Sequence, residues 1–237
     1  MASTTDYLLT EVAQFGKQTY AVVEAGGSGD YTTIASALSA GEKFILIKAG
    51  TYVESNLQMP SDGCTMIGEN PDTCIINVTS GSLSIINIGA GSSSDNDHTF
   101  MYLTLRRSGT ATGRLLSSNG SNILVYYCRF EATNSGTGQE MANWQPNASD
   151  TNWRLSNCKL ISTTEFGAQA VIMMNLNNND GEAIIIENCE ISSTKAVIGI
   201  SLSAGGDRNN VHIINNKITL LTDTAVKNGI YCSTGSL

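Results

Sequence analysis

A short phrase repeats down the second half of the chain, and no other feature narrows its fold so far. Tyr126-Tyr127-Cys128-Arg129-Phe130 is followed by Ser156-Asn157-Cys158-Lys159-Leu160, Glu187-Asn188-Cys189-Glu190-Ile191 and Ile214-Asn215-Asn216-Lys217-Ile218. Leu103-Thr104-Leu105 is a degenerate earlier copy. The steps are 25 (103 to 128), 30 (128 to 158), 31 (158 to 189) and 27 (189 to 216) residues. An apolar, polar, apolar phrase at such spacing marks a solenoid. Each unit reads as a β coil, because the phrases alternate in polarity and sit between Gly, Ser and Asn clusters. Period-two alternation then turns Cys128, Cys158, Cys189 and Asn216 inward, together with Phe130, Leu160, Ile191 and Ile218. Arg129, Lys159, Glu190 and Lys217 face water. Asn157, Asn188 and Asn215 also fall in register, either as a ladder of side-chain amides satisfying a bend or as plain surface turn residues.

Composition agrees with many short strands. Of 237 residues 14% are charged, with 23 Gly and 3 Pro, which disfavours helical bundles. The balance of 13 basic to 21 acidic residues, net −8, contains no basic stripe. Nucleic acid and anionic membranes are therefore not expected partners. No 18-residue apolar run exists, and the first residues lack the basic start and apolar core of a signal peptide. The expectation is synthesis in a cytoplasm, with release by lysis or a signal-less route. Six cysteines form no C-x-x-C pair, and those in the repeat read as small buried thiols. Cys64 and Cys74 lie close enough in sequence to meet across a turn, though a reducing compartment argues against a bond. The glycosylation patterns at Asn77, Asn119 and Asn147 are chance matches for a chain without secretion signal.

The start of the chain reads differently. Leu8, Leu9, Val12 and Phe15 share a stripe at helical spacing within residues 4–16. Residues 1–19 are expected to cap the solenoid or dock a partner, and residues 20–237 to form the β domain. Tyr20 to Val23 reads as a strand, Thr33 to Leu38 as a capped helix ending before Gly41, and Phe44 to Ile47 as an apolar strand. Gly26-Gly27-Ser28-Gly29-Asp30 lacks the third Gly of a dinucleotide loop and the Lys of a P-loop.

The segment Gly27-Ser28-Gly29-Asp30-Tyr31-Thr32-Thr33-Ile34, then Ile47-Lys48-Ala49-Gly50-Thr51-Tyr52-Val53-Glu54, then Met66-Ile67-Gly68-Glu69-Asn70-Pro71-Asp72-Thr73 resembles the opening of pectin-lyase-like proteins. Within them it is most similar to pectin methylesterases, over roughly residues 20–78. The resemblance implies an all-β, right-handed parallel β-helix; at about 25 residues per coil the length allows seven or eight coils, behind the short N-terminal helix that residues 4–16 suggest. It speaks to fold rather than to chemistry. Gln169-Ala170-Val171 resembles one methylesterase motif. Lys195-Ala196 stands where the family has a Gln-Asp pair, and His212 where it has a second Asp. The family's Gly-Arg-Pro-Trp is missing. Ester hydrolysis of that kind needs a carboxylate nucleophile and a carboxylic acid, so methylesterase activity is not expected.

Other chemistry leaves fainter traces. Asp95, Asp97 and His98 cluster in a Ser-rich stretch that reads as a cation site or, more simply, a solvated loop. Asn178-Asn179-Asp180-Gly181-Glu182 comes near a calcium-loop spacing, yet Leu176 holds the first ligand position. No cofactor is expected. Residues 131–152 read as an insertion breaking the coil, with Trp153 just beyond. Trp144, Trp153 and Gln145, with Gln169, are candidates for binding a glycan by ring stacking and hydroxyl recognition. Glu140 and Asp150 are candidates for a glycosidase pair. The plainer alternative is that Trp144 packs its loop onto the coil.

These readings converge on a structural or adhesive virion protein of a tailed bacteriophage, such as a tail fibre, spike or decoration module. Its expected partners are other virion subunits or copies of itself, with a cell-surface glycan as possible ligand. The alternatives are a carbohydrate-active enzyme, or a surface adhesin whose export signal has been trimmed.

Overall fold

The computed structural model describes residues 19–89, 96–135, 137–144, 152–164, 170–176, 184–196, 198–204, 211–221 and 227–234. The stretch 4–16 expected to be helical lies outside them.

The described chain is a parallel β-solenoid of three sheets. The first holds Ala21–Val23, Phe44–Ile47, Cys64–Gly68, Asn96–Met101, Ser121–Tyr126, Trp153–Ser156, Ile184–Glu187 and Val211–Ile214. The second holds Gly50–Val53, Cys74–Val78, Thr104–Arg107, Arg129–Ala132, Lys159–Ser162, Glu190–Ser193 and Lys217–Leu220. The third holds Leu57–Gln58, Ile86–Ile88, Leu116–Ser118, Ala142–Trp144, Ala170–Leu176, Ile198–Ala204 and Asn228–Thr234. From Phe44 on, each coil gives one strand to each sheet, Ala21–Val23 adding an eighth to the first, and every neighbouring pair is parallel. This is the β-helix expected from the repeat.

The repeated phrase marks the corner between the first and second sheets. Tyr102, Tyr127, Asn157, Asn188 and Asn215 all take positive φ there, between 52° and 55°. Asn tolerates this left-handed conformation better than other non-glycine residues, which accounts for its recurrence. Backbone bonds link the corner from coil to coil: Tyr127 N to Ser156 O at 3.1 Å, Asn157 N to Glu187 O at 3.1 Å, Asn188 N to Ile214 O at 3.0 Å. The turn is thus held by main chain, and the three Asn side chains are exposed. The two Tyr that replace Asn stack their rings, 5.3 Å apart and 8° from parallel.

One residue past the corner the chain turns inward, and a column of thiols begins. Cys128 Sγ lies 3.5 Å from Phe100 O, Cys158 Sγ 3.6 Å from Val125 O, and Cys189 Sγ 3.6 Å from Leu155 O. Those carbonyls occupy one register position on successive strands. In the last coil Asn216 takes over: its Nδ2 donates to Ile186 O at 2.8 Å, and its Oδ1 accepts from Cys189 N at 2.9 Å. A soft donor at this place ties each coil to the one beneath. Burial pushes the Cys128 and Cys64 thiols up to about 12 and raises Cys158 well above the ordinary thiol range. Cys64, Cys74, Cys128, Cys158 and Cys189 are free and buried, whereas Cys232 is exposed. A chromogenic disulfide reagent should therefore label one thiol quickly in the native protein and the other five only on unfolding. Fast labelling of more than one equivalent would contradict the buried column.

The two ends of the solenoid differ. The helix Ile34–Ser39 packs Ile34 and Ala37, both fully buried, against the first coil. Thr33 caps it, its Oγ1 accepting from Ser36 N at 3.1 Å. Glu54, from the loop after Gly50–Val53, accepts from Ile34 N and Ala35 N, both at 2.8 Å. At the other end the same register positions lose their cover. Ile200 is 0% exposed while its partner in the next coil, Ile230, is 46% exposed. Ile213 and Ile218 are half-buried, although their partners Ile186 and Ile191 are fully enclosed.

Residues 131–144 are not an insertion. Arg129–Ala132 and Ala142–Trp144 are regular strands of the fourth three-strand coil, with Leu116 and Ile172 flanking Ala142 in register. Ala142, Asn143 and Trp144 are poor in strand formers, and the rungs on either side impose the conformation. Residues 145–151 of the expected loop lie outside the description.

Candidate functional site

The described part of the stretch thought to be a metal-binding or solvated loop, Asn96 to His98, is strand. Asn96–Met101 pairs with Cys64–Gly68 and Ser121–Tyr126. Alternation sends His98 inward, fully buried and parallel to the Phe100 ring at 6.4 Å, while Asp97 is exposed. Residues on opposite faces of a strand cannot share a cation. Asp95 lies outside the described residues, and among those described no group of three His, Cys, Asp or Glu comes together.

Both tryptophans belong to the core. Trp144 is 2% and Trp153 1% exposed, and their rings meet edge to face at 5.0 Å and 80°. Trp153 Nε1 donates to Gly120 O at 2.9 Å. Both indoles pack inside the solenoid, and Trp153 also borders the groove described below. Gln145, Asp150 and Gln169 lie outside the described residues. Glu140 is 3% exposed and ion-paired to Arg114 Nε at 2.6 Å, and Asn143 Nδ2 donates to the same carboxylate. That places it in a structural network. Lys195 is exposed and Ala196 buried beside the third sheet, whereas His212 is exposed on the first. His212 therefore sits on a different face from Ala170–Leu176, and the three positions aligned with the methylesterase acids do not converge.

The corner between the second and third sheets conceals a polar cluster that sequence reading missed. Arg107 is fully buried; its Nε donates to Asn134 Oδ1 at 2.9 Å and its Nη1 to the carbonyls of Thr112, at 3.2 Å, and Gly113. Thr164 Oγ1 donates to the same Asn134 Oδ1 at 2.8 Å. Burial pulls the Arg107 guanidinium down to about 10, opposed by the charge of Glu140, and it stays protonated at neutral pH.

An open site lies instead on the outer face of the first sheet. Asp97, Thr99, Asn122, Leu124, Tyr126, Asn152, Trp153, Arg154 and Ile185 line a groove of about 400 Å³. Asp97, Asn122 and Asn152 form one hydrogen-bonded column along its edge. Asn122 Nδ2 donates to Asp97 Oδ1 at 2.8 Å, and Asn152 Nδ2 to Asn122 Oδ1 at 3.2 Å. Thr99, Leu124, Arg154 and Ile185 form the second column. The Arg154 guanidinium lies 6.0 Å from the centre of the Tyr126 ring and binds Glu187 through Nε at 2.8 Å and Nη2 at 2.5 Å. Ser156 Oγ adds a bond to the same carboxylate at 2.9 Å. Arg154 therefore holds Glu187 below the ordinary glutamate range. A carboxylate lowered in the folded state contributes stability above its unfolded value and loses it as pH falls through the folded one. Denaturation midpoints should thus drop on acidification below about pH 4.5, and Glu187→Gln should flatten that limb. An unchanged acid limb in the variant would show the pair to be inert.

No protein-family model matches the chain, and no curated protein matches it. Solved structures similar to it are pectin methylesterases. The carrot enzyme is 16% identical, over 93% of this chain and 90% of the enzyme, with a TM-score of 0.33. The deglycosylated Aspergillus niger enzyme is 15% identical, over 92% and 90%, with a TM-score of 0.40. PemA from Erwinia chrysanthemi is 15% identical, over 92% and 94%, with a TM-score of 0.39. They come from the family whose opening segment this chain resembles.

Proposed function

We propose that this chain is a non-catalytic, glycan-binding structural solenoid that acts as an adhesive module. The observation that carries the reading is the first-sheet groove. It sets a column of amide and carboxylate side chains, Asp97, Asn122 and Asn152, beside a mixed column of Thr99, Leu124, Arg154 and Ile185, with the Tyr126 ring next to Arg154. A sugar presents the same two kinds of surface, a rim of hydroxyls and a flat C–H face, and sites of this type combine a few placed polar groups with apolar walls. The groove carboxylate, Asp97, is bonded to Asn122, and the groove cation, Arg154, to Glu187 outside the lining, which suits holding a ligand rather than transferring protons. Electrophoresis through gels loaded with neutral polysaccharides tests this. Retardation is expected, and Tyr126→Ala or Asn152→Ala should weaken it about tenfold, the loss of one good contact. Full retardation of both variants, or none of the parent, would overturn the proposal.

A second reading, a component of a larger assembly such as a tailed-phage virion, draws on the terminal coil. Val211–Ile214, Lys217–Leu220 and Asn228–Thr234 end their sheets, and Ile230 and Tyr231 are 46% and 42% exposed there. Among the described residues these edges lie beside exposed apolar residues, and such edges pair with further strands, of the same chain or of another. Detection of the chain in purified virions by mass spectrometry supports this setting, and a monomeric protein absent from particles argues against it.

A further inference from the structure

We infer that the groove takes a linear, uncharged polysaccharide laid along the solenoid axis, with about one sugar residue per coil. This rests on the glycan reading of the groove and specifies the shape and charge of the ligand.

The lining comes from four successive coils, not from one. Asp97 and Thr99 belong to the first, Asn122, Leu124 and Tyr126 to the next, Asn152 and Arg154 to the third, and Ile185 to the fourth. Neighbouring parallel strands lie about 4.8 Å apart, so equivalent groups recur at that interval along the axis. That interval is close to the advance per residue of an extended pyranose chain. Asp97, Asn122 and Asn152 then meet the hydroxyl edge of consecutive residues, while Thr99, Leu124, Arg154 and Ile185 underlie consecutive rings. A compact monosaccharide would use one rung and leave the others to water.

Charge selects against acidic polymers. The cation of the groove, Arg154, is engaged twice by Glu187. Asp97 adds a negative charge at the edge, and the whole chain carries net −8. A polyanion would have to break the Arg154–Glu187 pair and face like charge. Neutral hexose or N-acetylhexosamine chains meet no such opposition.

Calorimetric titration of the full chain with cello- and chito-oligosaccharides of one to six residues, and with oligogalacturonides of equal length, tests each part. Affinity for a neutral series should climb with length and level off near four residues. Oligogalacturonides should bind at least tenfold more weakly at low salt. Ile185→Lys, which places a long side chain over the last rung, should shorten the plateau by one residue. A monosaccharide binding as tightly as its tetramer would overturn the axial arrangement while leaving a glycan site standing. Tighter binding of the acidic series would overturn the uncharged class. An unchanged plateau in the Ile185 variant would overturn this placement. No binding in any series would overturn both this inference and the function proposed above.

Discussion

Replacing Cys158 with Asp is expected to destabilise the fold by about 3–5 kcal/mol, the usual scale for an uncompensated buried charge. Cys158 is 2% exposed and sits between Cys128 and Cys189 in the thiol column. Its Sγ faces carbonyl oxygens, Ser156 O at 3.3 Å and Val125 O at 3.6 Å. A carboxylate there would point at acceptors. It would either stay charged without a partner or take up a proton at the expense of stability. Cys158→Ser keeps a donor of similar size and should cost no more than about 1.5 kcal/mol. Urea unfolding followed by circular dichroism separates the two. Equal midpoints for the Asp and Ser variants would mean that water reaches the column.

Arg107→Leu is expected to cost about 1–3 kcal/mol, well above the loss of a surface cation such as Lys159, about 0.5 kcal/mol. The guanidinium is enclosed and bonds Asn134 Oδ1 and the Thr112 and Gly113 carbonyls; its removal takes the donor from the buried Gly113 carbonyl and one of two donors from each of the others, which keep Thr164 Oγ1 and Gln139 N. Arg107→Lys should not rescue it, because an ammonium cannot reproduce the planar fork. Gly138 lies directly over the group: a Cβ there would come 2.5 Å from Arg107 Nη2, so Gly138→Ala should also destabilise. An Arg107→Leu protein with the parent's midpoint would show that the corner closes without its polar staple.

The corner phrase was legible because three local signals coincide in it. Left-handed φ favours Asn, the next residue must be small and inward, and the strand after it alternates. The same logic identified Phe130, Leu160 and Ile191 as core, and all three are fully buried. The fourth, Ile218, was read correctly as inward but stays half-buried, since it belongs to the terminal coil. Ala142–Trp144 was misread as loop because its strand character comes from Leu116 and Ile172 on adjacent rungs, 26 and 30 residues away. The tryptophans suggested a sugar platform by residue type, yet residue type does not tell which side of a strand is enclosed.

The groove shows the boundary most clearly. Asp97, Asn122 and Asn152 stand 25 and 30 residues apart, and nothing in their local sequence marks them as one column. The sequence alone determined that the chain coils, where it bends, and which residues of each repeat turn inward, because those depend on φ preference and period-two alternation within a few residues. The tertiary structure alone decided which outward side chains share a groove, that Arg107 and Glu140 are buried, and that the helix Ile34–Ser39 covers the first coil. Those depend on lateral neighbours, and lateral register across coils of unequal length is set by stacking the whole solenoid rather than by any single segment.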